Sequence, residues 1–124
     1  MNLVFAGVVA ALLFAGCTSS PPKQTVAVDF MYYKDCGYCT QMEPVLANVA
    51  NQFGPQVKIR VLDAQQRGMN NTVTNLYEQY KAEGKFGGFP TLVADGKSAL
   101  VGLRSEAEVK TWLCAQFVEK PQAC

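Results

Sequence analysis

The sequence predicts an α/β domain, a four-stranded mixed sheet built in the order β-α-β-α-β-β-α with helices on both faces. Three observations lead there. Apolar residues recur at three- and four-residue steps in three separate segments, beginning near Cys39, Val73 and Val109. Short β-prone runs lie between them, and the last two runs are joined by Asp95-Gly96, a strong tight-turn signal. A helix between the first two strands makes them parallel, whereas the tight turn makes the last two a hairpin. At 124 residues the chain has room for one domain. A net charge of +1, from eleven basic and ten acidic residues, gives no electrostatic footprint for nucleic acid. The chain has no histidine, which excludes a histidine general base, a Cys-His pair and every zinc site that needs histidine.

Taken in order, Leu3 to Gly16 is an apolar run. As a helix it would span about 21 Å, short of the ~30 Å hydrocarbon core of a membrane. It suits an export signal, so residues 1–16 are read as a signal peptide. Ala15-Gly16-Cys17 resembles the lipobox of bacterial lipoproteins, although Phe14 stands where leucine is usual and no Lys or Arg precedes the run. In that family the signal is cut before the cysteine, whose sulfur takes a diacylglyceryl group. The resemblance implies lipidation at Cys17 and an extracytoplasmic, periplasmic location on a membrane. Thr18 is compatible with the outer membrane of a Gram-negative cell. The alternative is an ordinary secretory signal with Cys17 incidental. Residues 17–23 are then a polar, proline-bearing tether.

The domain proper is expected over 24–118, with 119–124 a tail. Val26 to Tyr33 is a near-continuous β-prone run, as expected of a strand covered on both faces. Cys36-Gly37-Tyr38-Cys39 follows, and Cys39, Met42, Leu46, Val49, Ala50 and Phe53 mark the apolar stripe of a first helix that Gly54-Pro55 ends. Val57 to Leu62 is the second strand, closing at Asp63. Val73, Leu76, Tyr77 and Tyr80 form one face of a second helix, with Gly84 at its C-terminal cap. A glycine-rich link leads to Pro90, then to the hairpin of Thr91–Ala94 and Ala99–Val101. Ser105 and Glu108 have capping-box spacing and open a last helix that offers Val109, Trp112, Leu113 and Phe117 to the core.

From 24 to 118 the chain resembles the thioredoxin fold, and several motifs carry the likeness. Beyond Cys36-x-x-Cys39, Met42-Glu43-Pro44-Val45-Leu46 is similar to the segment after that family's cysteines. Gly88-Phe89-Pro90-Thr91-Leu92 resembles its Gly-Ile-Pro-Thr-Leu, in which the proline is cis. Gly37-Tyr38 is similar to the dipeptide of Dsb-type disulfide isomerases, but no room is expected in these 124 residues for the separate dimerisation domain of those enzymes. A monomer is therefore expected. The resemblance implies a thiol-disulfide oxidoreductase that needs no cofactor. Phe89 and Pro90 would present a backbone edge to substrate, and Tyr38 would touch it. The chain also departs from thioredoxin. Asp35 stands where that protein has tryptophan, and Phe30 occupies the position of the buried acid that assists the second cysteine. Asp29, one residue earlier, serves that role only if the intervening loop is one residue longer.

Disulfide exchange proceeds by thiolate attack. Cys36, at the first turn of a helix, has unpaired N–H groups and the positive dipole end to favour its thiolate and is assigned as nucleophile. Cys39, one turn in, is the resolving thiol. Asp35 opposes the dipole and favours the disulfide form. The competing readings are a non-catalytic adapter and a Cu(I) carrier, since two thiolates suit that soft ion. With Cys17 set aside, Cys114 and Cys124 remain and are expected to form a structural disulfide. The partners anticipated are exported protein thiols or disulfides and an upstream redox donor, with reduction ahead of isomerisation or oxidation.

Overall fold

Strand β1 (Val26–Tyr32) is the central strand of the computed structural model, which describes residues 23–124. The signal peptide expected at residues 1–16, the lipidation expected at Cys17 and the tether up to residue 22 fall outside the described residues. Strand β2 (Val57–Asp63) pairs with β1 in parallel, from Val26 opposite Val57 to Tyr32 opposite Asp63. On its other side β1 pairs antiparallel with β3 (Thr91–Ala94), which pairs in turn with β4 (Ser98–Val101). The sheet order is β2-β1-β3-β4, the mixed four-stranded arrangement anticipated from the crossover and the hairpin.

Side chains alternate across β1, so its nearly unbroken apolar run feeds two cores. Val26, Val28 and Phe30 point to the side covered by α1 (Gly37–Phe53) and α3 (Glu106–Cys114). There they meet Cys39, Met42, Leu46, Val49, Val109 and Leu113. Met31 points the other way, to Val73, Tyr77 and Tyr80 of α2 (Asn71–Ala82) and to Leu62 and Val93. Fully burying an aliphatic or aromatic side chain of this size contributes about 1.5–3 kcal/mol, so each core is a substantial anchor for the loops it carries.

The ends of the helices follow local chemistry. Gly84, at φ 69°, sits one residue past the cap residue Glu83 of α2. The N–H groups of Gly84 and Lys85 donate to the carbonyls of Lys81 and Tyr80, closing a Schellman motif. Ser105 and Glu108 form the reciprocal capping box at the start of α3. Asp95 and Gly96 both take positive φ in the hairpin turn, which Lys97 N–H to Ala94 carbonyl closes. Trp112 packs against the α1-side core but stays half-buried, and its indole N–H donates to Ser98 Oγ of β4 at 3.0 Å. Phe117 is buried as expected, but beyond the end of α3, stacked on Phe53.

Cys114 and Cys124 are bonded, with their Cα atoms 5.8 Å apart. The tail is further held by Lys120 Nζ on the Cys114 carbonyl and by Val118 N–H on Gln24 Oε1. Among the described residues no helix is long and apolar enough to cross a membrane.

Candidate active site

Cys36 and Cys39 lie at the point where β1 hands the chain to α1. The Cys36 N–H donates to the Tyr33 carbonyl at 3.2 Å, closing a turn after the strand. Cys36 is the N-cap of α1, with extended backbone angles (φ −91°, ψ 108°), and its sulfur accepts the N–H of Cys39 at 3.1 Å. The sulfur thus takes the role that a serine or aspartate oxygen fills at other helix starts. No acidic residue occupies the first turn of α1 to oppose it. The two cysteines are bonded to each other, with Cα atoms 5.2 Å apart. Cys36 keeps 6% of its surface exposed and Cys39 none. That asymmetry fits an attacking thiol at the surface and a shielded resolving thiol behind it.

The loop opposite is equally constrained. The Phe89–Pro90 peptide bond is cis. Gly88 has φ 113°, a conformation L side chains rarely adopt, and its carbonyl accepts Thr91 Oγ1. A side chain at Gly87 would strike Val101, whose methyl carbons lie 2.8 and 2.9 Å from where a Cβ would sit. The last β1–β3 pair is Met31 with Thr91, so the register brings Pro90 to the end of β1, next to the cysteine turn.

The remaining candidate residues separate. Tyr38 is 62% exposed on the first turn of α1, open to a partner. Asp35 is exposed on the turn before Cys36. Pro90 is buried and its carbonyl accepts the Gly102 N–H at 2.8 Å. The Phe89 ring turns inward and packs among Tyr33, Phe86 and Tyr77.

Asp29 requires a correction as a residue tuning the cysteines. It is buried, but on the α2 side of the sheet, whereas Cys36 and Cys39 belong to the α1 side. With Phe30 placed in the α1-side core, strand alternation turns Asp29, one residue earlier, to the other face. Its carboxylate makes a two-pronged pair with Arg60, at 2.8 and 3.0 Å, and accepts the Tyr80 hydroxyl at 2.5 Å. Burial, then the bond to Asp29, pushes the Tyr80 hydroxyl pKa up. The Arg60 guanidinium is held charged first by its bonds to Asp29. Asp29 and Thr91 are the buried polar side chains among the described residues, so no buried acid faces Cys39.

The sequence reading missed the four-ring cluster around Phe89. Tyr77 donates its hydroxyl to the Leu62 carbonyl at 2.8 Å and carries the Arg67 guanidinium 4.9 Å from its ring centroid. Burial pushes its pKa up to about 12. The available signal was the density of aromatics (Tyr32, Tyr33, Tyr77, Tyr80, Phe86 and Phe89) on segments that the fold brings together.

The arrangement recurs in known structures. A point mutant of thioredoxin from Halobacterium salinarum superposes with a TM-score of 0.58 and 26% identity, covering 79% of this chain and 80% of that one. The fold is that of thioredoxin. Thioredoxin-2, a component of malaria parasite protein secretion machinery, matches with a TM-score of 0.53 at 16% identity, over 73% of this chain and 82% of its own. A further malarial protein matches at 0.55 and 15% identity, over 77% of this chain and all of its own. No protein-family pattern matches the sequence, and no curated protein matches it. A thioredoxin-like fold with its cysteine pair at the start of the first helix supports thiol-disulfide exchange as the general chemistry of the site.

Proposed function

We propose that this thioredoxin-like protein is an extracytoplasmic thiol-disulfide oxidoreductase that reduces disulfides in exported proteins, held at a membrane by lipid on Cys17. One observation carries the redox reading. Cys36 is the less buried member of the pair, with 6% of its surface accessible, and its sulfur already receives a helix N-terminal N–H, while Cys39 is wholly buried behind it.

In the reducing direction the Cys36 thiolate attacks one sulfur of a substrate disulfide. The substrate's other sulfur leaves and takes a proton, and a mixed disulfide remains on Cys36. Cys39, losing its proton, attacks the Cys36 sulfur and releases the second substrate thiol. Two electrons have passed from the pair to the substrate, and a dithiol donor must return them. Asp35, exposed on the turn just before the helix, carries a negative charge that opposes the positive dipole end and so favours the disulfide-bonded state. That supports a reducing potential.

Equilibration against glutathione with alkylation trapping tests the direction. A potential near thioredoxin's, about −270 mV, is expected, whereas one of about −120 to −180 mV would make the protein an oxidase or isomerase. A pair that never cycles would leave the adapter, or a Cu(I) carrier if copper co-purifies. Fatty-acid labelling of the intact chain in cells, lost in Cys17→Ser, tests the anchor.

A further inference from the structure

We propose that Tyr33 is the positioning residue of the cysteine pair: its ring, clamped edge-on by Phe89, holds the turn that sets Cys36 on the helix N-terminus. The proposal deepens the redox reading and rests on it for its functional meaning, but its geometry stands alone. The Tyr33 carbonyl accepts the Cys36 N–H at 3.2 Å, and that bond orients the peptide unit leading into the N-cap. With the unit so oriented, the Cys36 sulfur meets the Cys39 N–H at 3.1 Å, and the Cys36 carbonyl accepts Thr40 N–H and Thr40 Oγ1. Lys34 and Asp35, the other residues of the turn, are exposed, so Tyr33 is the side chain through which the turn grips the protein.

That grip is an aromatic one. The Tyr33 and Phe89 rings meet edge to face at 4.8 Å, the shortest ring separation among the described residues. Phe89 is itself fixed from behind by Phe86 at 5.1 Å and Tyr77 at 6.1 Å. Of the half-buried apolar side chains, Phe89 is the one that packs against both cores, the α1 side and the α2 side. It therefore refers the position of Tyr33 to the whole sheet. Through its ring Phe89 acts on Tyr33 and is a support.

The alkylation rate of Cys36 in the reduced protein, followed against pH, reads the position of its sulfur relative to the helix N–H groups. Tyr33→Leu removes the ring contact and is expected to move the profile to higher pH, slowing alkylation at neutral pH roughly threefold. Tyr33→Phe keeps the contact and restores the wild-type profile. Phe89→Leu moves it in the same direction by less, and takes the place of Tyr33→Leu if that variant does not fold. Leu76→Ala, in the α2-side core and away from the turn, lowers stability without moving the profile. The proposal is overturned if the Tyr33→Leu and Phe89→Leu profiles superimpose on wild type, or move no further than Leu76→Ala. The rate is read on reduced protein whether or not the pair turns over. A shifted profile in a protein that never reduces substrate would sink the redox reading and leave this one standing.

Discussion

The two disulfides among the described residues are the same bond in opposite settings. Cys36–Cys39 sits at the N-terminus of α1, where backbone N–H groups and the positive dipole end favour a sulfur carrying negative charge. Cys114–Cys124 sits at the C-terminus of α3, where carbonyls crowd the end and a thiolate is disfavoured. Spacing sharpens the contrast. Closing the short active-site ring is worth about 1.5 kcal/mol of chain entropy, against about 2.5–3 kcal/mol for the ten-residue spacing of the tail. Placement at a helix end thus separates a bond whose thiolate is favoured from one whose thiolate is disfavoured.

Breaking the comparison starts with the reactive pair. Cys36→Ser should reduce insulin-disulfide reduction to background, while Cys39→Ser should accumulate mixed disulfides on gel analysis without reducing agent. Turnover by either variant would remove the roles assigned to them. For the tail, Cys124→Ser should lower unfolding free energy by about 2.5–3 kcal/mol in denaturant titration while the Cys36–Cys39 potential stays put. A potential that moved by more than about 30 mV, or 1.4 kcal/mol, would show that the two bonds are coupled.

Asp29 offers a finer test, because its side of the sheet decides what it does. Asp29→Asn should cost about 1–3 kcal/mol of stability. The figure is held below that of a fully buried pair because the Arg60 side chain is 54% exposed. The alkylation profile of Cys39 should not move; if it did, the carboxylate would be reaching across the sheet after all. The last effect concerns pH and shows only in alkali. Tyr77 is raised from 10.0 to about 12 in the folded protein, so the folded state holds its proton where the unfolded state has lost it. Its stabilising contribution is whole below pH 10 and is lost as pH rises from there through about 12. Alkaline denaturation of Tyr77→Phe should lack that component.

Much of this was legible in the residues. The Cys-x-x-Cys, the stripe from Cys39 to Phe53, the Asp-Gly turn and the Ser105/Glu108 box are all local patterns whose consequences stay local. What was hidden depends on which face of a strand a residue takes. β1 is apolar on both faces, so it shows no alternation from which to read the side of Asp29. Its partners Arg60 and Tyr80 lie 31 and 51 residues away, on β2 and α2. Phe89 was hidden for a related reason. A ring that touches both cores can be placed only once the sheet that separates them exists.

The two ends of the described chain meet at one pole. Lys23 and Gln24 share a cleft of about 770 Å³ with residues 118–123 of the tail. From there β1 carries the chain seven residues, about 20 Å, before it reaches the cysteine turn at the far pole. For anyone building with this domain, the geometry has a practical use. A bead, a surface or a second protein attached at either end of the described chain would crowd its neighbour at that pole and leave the pole of the cysteine turn clear.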